Sequence, residues 1–208
     1  LQSIVDRGDF VRPRPDDGSG GPTPGRPPAA IETDPAIVEA LVPPRSTSAP
    51  DVASAGDPDR ADALEGLVDR ALKKLKHAAG EVNGKTIGLL GLAFKPNTDD
   101  LREAPSLRLV HELLKAGARV RVFDPVAMDN FRKTVKAPVE YGRTVYDMAE
   151  GCDALILVTE WNEFRELDFA RLKKVMRGHV FIDCRNVYTP DRIAQRGFTY
   201  ESFGRGKP

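Results

Sequence analysis

Residues 86–105 read TIGLLGLAFKPNTDDLREAP, an apolar run holding two glycines three apart, then a polar loop that ends on a proline. The run TIGLLGLAF matches a strand buried on both faces, and the stretch LRLVHELLKAG behind the loop has helical spacing. Onward from there the chain keeps the same rhythm. RVRVFDP is followed by a helix around residues 127–135, then VEY, a helical TVYDMAEG and the run ALILVTEW. LDFARLKKVM, HVFIDCRN, TPDRIAQRG and FTYESFG complete the series of alternating helices and strands. Strands alternating with helices over short connections predict a parallel sheet covered by helices on both faces. The expected fold is therefore α/β: a three-layer, Rossmann-like domain over residues 84–204.

In such a sheet ligands bind beyond the carboxyl ends of the strands. Those ends read GLAFKPNTDDLR, FDP, TEWNEF and DCRN, four loops expected to face one crevice. A dinucleotide turn needs G-x-G-x-x-G after the first strand. Here Gly88 and Gly91 are three apart and Phe94 and Lys95 stand beyond them, so Asp124, placed where a ribose-binding acid would sit, lacks the glycine turn it should serve. The loop offers cations instead. Lys95 and, seven residues on, Arg102 precede a helix with Pro105 in its first turn, and Arg185 lies at the same edge; such a set suits a diphosphate or another anion. The plainer reading is a solvated Lys95 and an Arg102 paired with Asp99, Asp100 or Glu103. Phe94 and Trp161 supply either a stacking surface or a lid on the core.

The first 60 residues differ in kind. They hold 11 of the 17 prolines and one aromatic, Phe10. A segment this poor in apolar surface cannot offset its ordering entropy, and residues 1–60 are expected to be disordered. The missing initial Met and the Pro, Arg, Gly, Ala and Asp bias read as those of a fragment or an out-of-frame join. Residues 61–80 then form a linking helix with Leu64, Leu67, Val68, Leu72 and Leu75 on one stripe and Gly80 as its stop. With a formal net charge of +0 there is no global pull toward nucleic acid or anionic membrane. No apolar run approaches the roughly 18 residues of a membrane span, so a soluble, cytoplasmic protein is expected. Cys152 and Cys184 lack CxxC spacing and the three histidines are scattered, so neither a disulfide framework nor a metal site is expected.

GLAFKPNTDDLREAPS, VFDP, LVTEWNEF and IDCRNVY, in this order and spacing, closely resemble the C-terminal domain of the UDP-glucose 6-dehydrogenase branch of the UDP-glucose/GDP-mannose dehydrogenase family. The likeness covers residues 61–204, and the linking helix resembles the end of the family's long central helix. It implies that Phe94, Lys95 and Arg185 contact a UDP-sugar, UDP-glucose or UDP itself, and that Arg102 contacts NAD. Cys184 stands where the family usually has Gly. The family oxidises the sugar alcohol twice by hydride transfer to NAD, through a thiohemiacetal on a cysteine in a Gly-Gly-x-Cys-x-Pro-Lys-Asp segment. That segment and the G-x-G-x-x-G turn are absent here, so no residue of this chain is expected to be catalytic, and the chain alone is expected neither to hold NAD nor to turn over. The resemblance implies a homo-oligomer or a missing N-terminal half as partner. The alternative class is a non-catalytic nucleotide-sugar-binding or assembly module.

Overall fold

The structure, a computed structural model, describes residues 58–204, and most of the segment expected to be disordered lies outside that range. Six strands form one wholly parallel sheet: β1 (Thr86–Leu90), β2 (Arg119–Phe123), β3 (Val139–Tyr141), β4 (Ala154–Leu157), β5 (Val180–Asp183) and β6 (Thr199–Ser202). Their order across the sheet is 3-2-1-4-5-6. The helices are α1 (Pro58–Ala79), α2 (Pro105–Lys115), α3 (Met128–Thr134), α4 (Val145–Ala149), α5 (Phe169–Val175) and α6 (Pro190–Ala194). A 3-10 turn over Asn162–Glu166 lies between β4 and α5. The expected three-layer α/β fold is thus the one observed. The chain winds outward through β2 and β3, then returns past β1 to β4, and this reversal between β1 and β4 leaves the crevice where ligands of such sheets sit.

Burial follows from that layering. Every residue of β1, β4 and β5 is buried, as expected of central parallel strands with helices on both sides. On one face α1 contributes Val68, Ala71 and Leu75, and α2 contributes Leu109 and Leu113, against Ile87, Leu89, Val122 and Ile156. On the other face Met148, Phe169, Leu172 and Ile193 close over Leu90, Leu155 and Phe181. Phe169 organises this second core, its ring 5.3 Å from Phe181 and 5.1 Å from Tyr188. A salt bridge of 2.7 Å between Lys74 and Glu201 ties α1 to β6.

Gly88 shows why the opening run carries a glycine in mid-strand. A Cβ there would stand 2.5 Å from Met148 Sδ and 2.6 Å from a Leu155 methyl, so the glycine lets α4 approach the sheet. Its role is packing. Gly88→Val is expected to lower the unfolding free energy by about 1–3 kcal/mol, the usual cost of overpacking a filled core. Pairing it with Met148→Ala is expected to cost less than the two changes summed, because both act on one space; urea unfolding of the three variants checks this.

Candidate functional site

Three of the four loops at the carboxyl edge, those after β1, β2 and β4, are joined by one buried carboxylate. Asp124, at the end of β2, is 1% exposed. Its Oδ2 accepts from the backbone N–H of Leu92 (2.7 Å) and Ala93 (3.2 Å) in the β1 loop, and from Trp161 Nε1 (3.0 Å) in the β4 loop. Its Oδ1 accepts from Val126 and Ala127 N–H at 2.9 and 2.8 Å. A carboxylate so used cannot reach a ribose, so the acid at the end of β2 is structural. Trp161 is buried with its indole N–H committed, which makes it the lid on the core and removes it as a stacking surface.

Gly91 takes φ +89°, and a Cβ on it would lie 2.5 Å from Thr159 Cβ. The chain therefore needs glycine here twice over, for the left-handed turn and for the approach of the β4 loop. Thr159 uses that closeness by donating its hydroxyl to Ala93 O at 2.6 Å. The two glycines of the opening run thus serve a helix and a neighbouring loop, and no room is left there for a pyrophosphate.

At the end of β5 a second buried carboxylate does similar work. Asp183 accepts from Arg185 N (2.9 Å), Tyr188 N (3.1 Å) and the Tyr200 hydroxyl (2.7 Å), which sets the turn that presents Arg185. The Arg185 side chain then runs back across the crevice. Its Nε donates to Val158 O at 2.7 Å, and its Nη2 lies 3.4 Å from Phe94 O. Glu160 Oε2 stands 2.9 Å from the same Nε yet accepts no hydrogen bond, because that single N–H is aimed at Val158. Arg185 is therefore a matched charge, held beside Phe94, and not a bare third cation. The structure does bring Phe94 and Arg185 together.

Lys95 follows Phe94 and is exposed; among the described residues no ion pair or hydrogen bond engages its side chain. Arg102 lies farther along the loop, its side chain 88% exposed and forked onto Asp100, with Nε–Oδ1 at 3.0 Å and Nη2–Oδ2 at 2.7 Å. Of the pairings open in the sequence, Asp100 is the one formed. The hydrogen bonds from Arg102 hold the Asp100 carboxyl well below its ordinary range, at about 2, and the Arg102 guanidinium is raised in turn.

Both cysteines are free and buried, and their surroundings disfavour the thiolate. Burial pushes the Cys184 thiol up to about 12, with the Asp183 carboxylate adding to the shift. Cys184 packs into the core beneath α1, so its side chain leaves the Arg185 contacts undisturbed. Burial likewise takes Cys152 to about 12, and its Sγ donates to Met148 O. Among the described residues no three His, Cys, Asp or Glu side chains gather as a metal site, and no helix is long and apolar enough to cross a membrane.

Known proteins resemble this chain in sequence and fold. Residues 88–190 match the UDP binding domain of the UDP-glucose/GDP-mannose dehydrogenase family. The chain carries that family's UDP binding domain. It is 47% identical over 133 residues to UDP-glucose 6-dehydrogenase of Rhizobium meliloti, covering 64% of this chain and 30% of that protein. Against the UDP-glucose 6-dehydrogenase of Pseudomonas aeruginosa it is 47% identical over 131 residues, 61% of this chain and 29% of that protein. The solved UDP-glucose dehydrogenase from Pyrobaculum islandicum superposes with a TM-score of 0.56 at 34% identity, over 66% of this chain and 29% of that one. The chain thus spans about 30% of the length of these curated relatives, and the part it matches is their C-terminal UDP-binding portion.

The Thr159, Glu160 and Asp183 contacts are the part of the site that motif reading missed. A signal for Asp183 was present in the repeated strand-ending aspartates of FDP and IDC.

Two measurements check this geometry. Asp124→Asn keeps the shape but turns an N–H₂ toward backbone donors, so it is expected to destabilise the fold by about 1–3 kcal/mol for each buried donor left unsatisfied, with a change in Trp161 fluorescence. Asp100 is expected to titrate near 2 in the native chain and to move up toward 3.8 without reaching it in Arg102→Ala, because the backbone N–H of residue 102 still donates to Oδ1; carboxyl NMR shifts follow both. Because the folded value is depressed, the contribution of this pair is full above 3.8 and is lost as the pH falls toward 2.

Proposed function

We propose that this chain supplies the UDP-sugar-binding portion of an NAD-dependent UDP-glucose 6-dehydrogenase, the class that converts UDP-glucose to UDP-glucuronate. The observation that carries the reading is the convergence, at the reversal between β1 and β4, of the Phe94-Lys95 loop with the Arg185 guanidinium held 3.4 Å from Phe94 O. Phe94 lends a half-buried ring edge to the ligand, and Lys95 brings an exposed ammonium suited to a diphosphate as a point charge. Arg185 supplies a planar guanidinium, already oriented, to a phosphate or a uracil carbonyl. In this reading residues 61–80 are the end of the central linking helix and residues 84–204 the nucleotide-sugar domain. The site of action is cytoplasmic, and the partner is a second copy or an N-terminal half.

NAD needs a place to lie, and the residues at the end of β1 do not form one. Met148 and Thr159 fill the space beside the two glycines, and Asp124 is spent on backbone donors. Arg102, exposed on the loop, is the group this chain would turn toward a dinucleotide held mainly by other residues. The part these residues play is to bind and orient the sugar nucleotide, and hydride transfer falls to the partner.

Calorimetric titration of UDP tests the proposal. Lys95→Ala and Arg185→Ala are each expected to weaken UDP binding about tenfold or more, the loss of one charge-assisted contact, whereas Arg102→Ala leaves it unchanged. Thermal unfolding of Arg185→Ala checks that losing its bonds to Val158 and Phe94 has not simply loosened the fold. No loss at Lys95 and Arg185, or equal losses in all three, overturns the assignment. The chain by itself is expected to produce no NADH from UDP-glucose and NAD, and turnover abolished by Cys184→Ser would overturn that.

A further inference from the structure

A cleft of about 110 Å³ opens on the helical face opposite α1, between the 3-10 turn and α6. Its rim carries Arg165, Arg192 and Arg196, with Asp168 as the single lining carboxylate. Its floor is apolar: Phe169, Ile193 and the ring of Tyr188, all buried. None of the residues proposed to bind UDP lines it.

Among the described residues the three arginines differ from most others. Arg102, Arg121, Arg143, Arg177 and Arg185 each lie in an ion pair. Arg70 and Arg171 are stacked on Phe203 and Tyr146. Among the described residues no ion pair, hydrogen bond or ring contact engages the side chains of Arg165, Arg192 or Arg196, although all three border one concavity. Asp168 offsets one of them at most, and its Oδ1 already accepts from Arg171 N at 3.0 Å as the cap of α5. Three guanidiniums against one carboxylate leave a formal charge of +2 around the cleft. Like charges gathered in this way repel one another and gain from a shared counter-charge.

We infer that this cleft is a second ligand site, for a phosphate monoester whose organic part is apolar. A monoester carries about −1.5 to −2 charges at pH 7 and three terminal oxygens, which matches the charge of the rim and gives each guanidinium an acceptor. A carboxylate, with one charge and two oxygens, would leave one arginine unmatched. An apolar ester group gains over free phosphate by burying its own surface against Phe169 and Ile193, which are themselves already buried. The helix α6 is too short to count as an anion site through its own N-terminus, and the side chains alone carry the assignment.

Phenyl phosphate and inorganic phosphate titrated into the full 208-residue chain, followed by amide NMR shifts, test the site. Phenyl phosphate is expected to bind saturably and more tightly than inorganic phosphate, with shifts at residues 165–169 and 192–196. Arg192→Gln and Arg196→Gln, exposed positions where folding is checked by the thermal midpoint, are each expected to weaken it about tenfold. Their UDP affinity is expected to equal that of the parent chain. Lack of saturable binding, binding that survives Arg165→Gln/Arg192→Gln/Arg196→Gln, or binding lost in Lys95→Ala overturns the site. Equal affinity for the two probes overturns the apolar ester group. Since UDP and phenyl phosphate are read separately, failure here is distinct from failure of the UDP assignment.

Discussion

Asp124 holds the carboxyl edge of the sheet together. Five N–H donors from three segments converge on its two oxygens, and the group is closed off from water. A charge so placed is tolerable only because every donor is aimed at it; the same donors without it would be buried and unsatisfied. The β1 loop could not otherwise turn where it does, since Leu92 and Ala93 offer their N–H groups to the interior. From that turn follow the position of Phe94, the place where Lys95 leaves the surface, and the carbonyl to which Arg185 reaches.

Electrostatics at this edge is local. The net charge of +0 conceals three cations with three different fates. Lys95 is solvated, Arg102 is exposed but forked on Asp100, and Arg185 is partly buried and matched by Glu160. On the proposed reading, an incoming diphosphate would meet them unequally. Lys95 keeps its full charge but is screened by water and salt, while Arg185 brings a smaller net field in a drier setting where each hydrogen bond counts for more. Arg102 must first exchange one anion for another.

The fold was legible because its signals are periodic. Apolar runs of five residues alternating with stripes such as Leu109, Val110 and Leu113 leave little choice other than a covered parallel sheet, and the strand ends then pointed to its carboxyl edge. Phe94, Lys95, Arg102 and Arg185 were legible as motif residues, but their partners were not. Whether Arg102 took Asp99, Asp100 or Glu103 depended on backbone turns, including a left-handed Glu103, that residue types do not encode. Asp124 looked like a ligand group and proved to be a structural hub, since a strand-ending carboxylate serves either purpose until the direction of nearby N–H groups is known. The rim of Arg165, Arg192 and Arg196 was invisible in sequence because it joins two segments across a concavity that only the packing of Phe169 and Ile193 creates.

The bonds from Arg185 to Val158 and Phe94 have a kinetic meaning. A long side chain free in solvent must give up its rotamers when it closes on a ligand, at a cost of order 0.5–1.5 kcal/mol. Here that freedom is removed during folding, before any nucleotide arrives. On the proposed reading the guanidinium is a fixed fitting that need not wait for a conformational search, so encounter would be governed by diffusion rather than by ordering of this side chain.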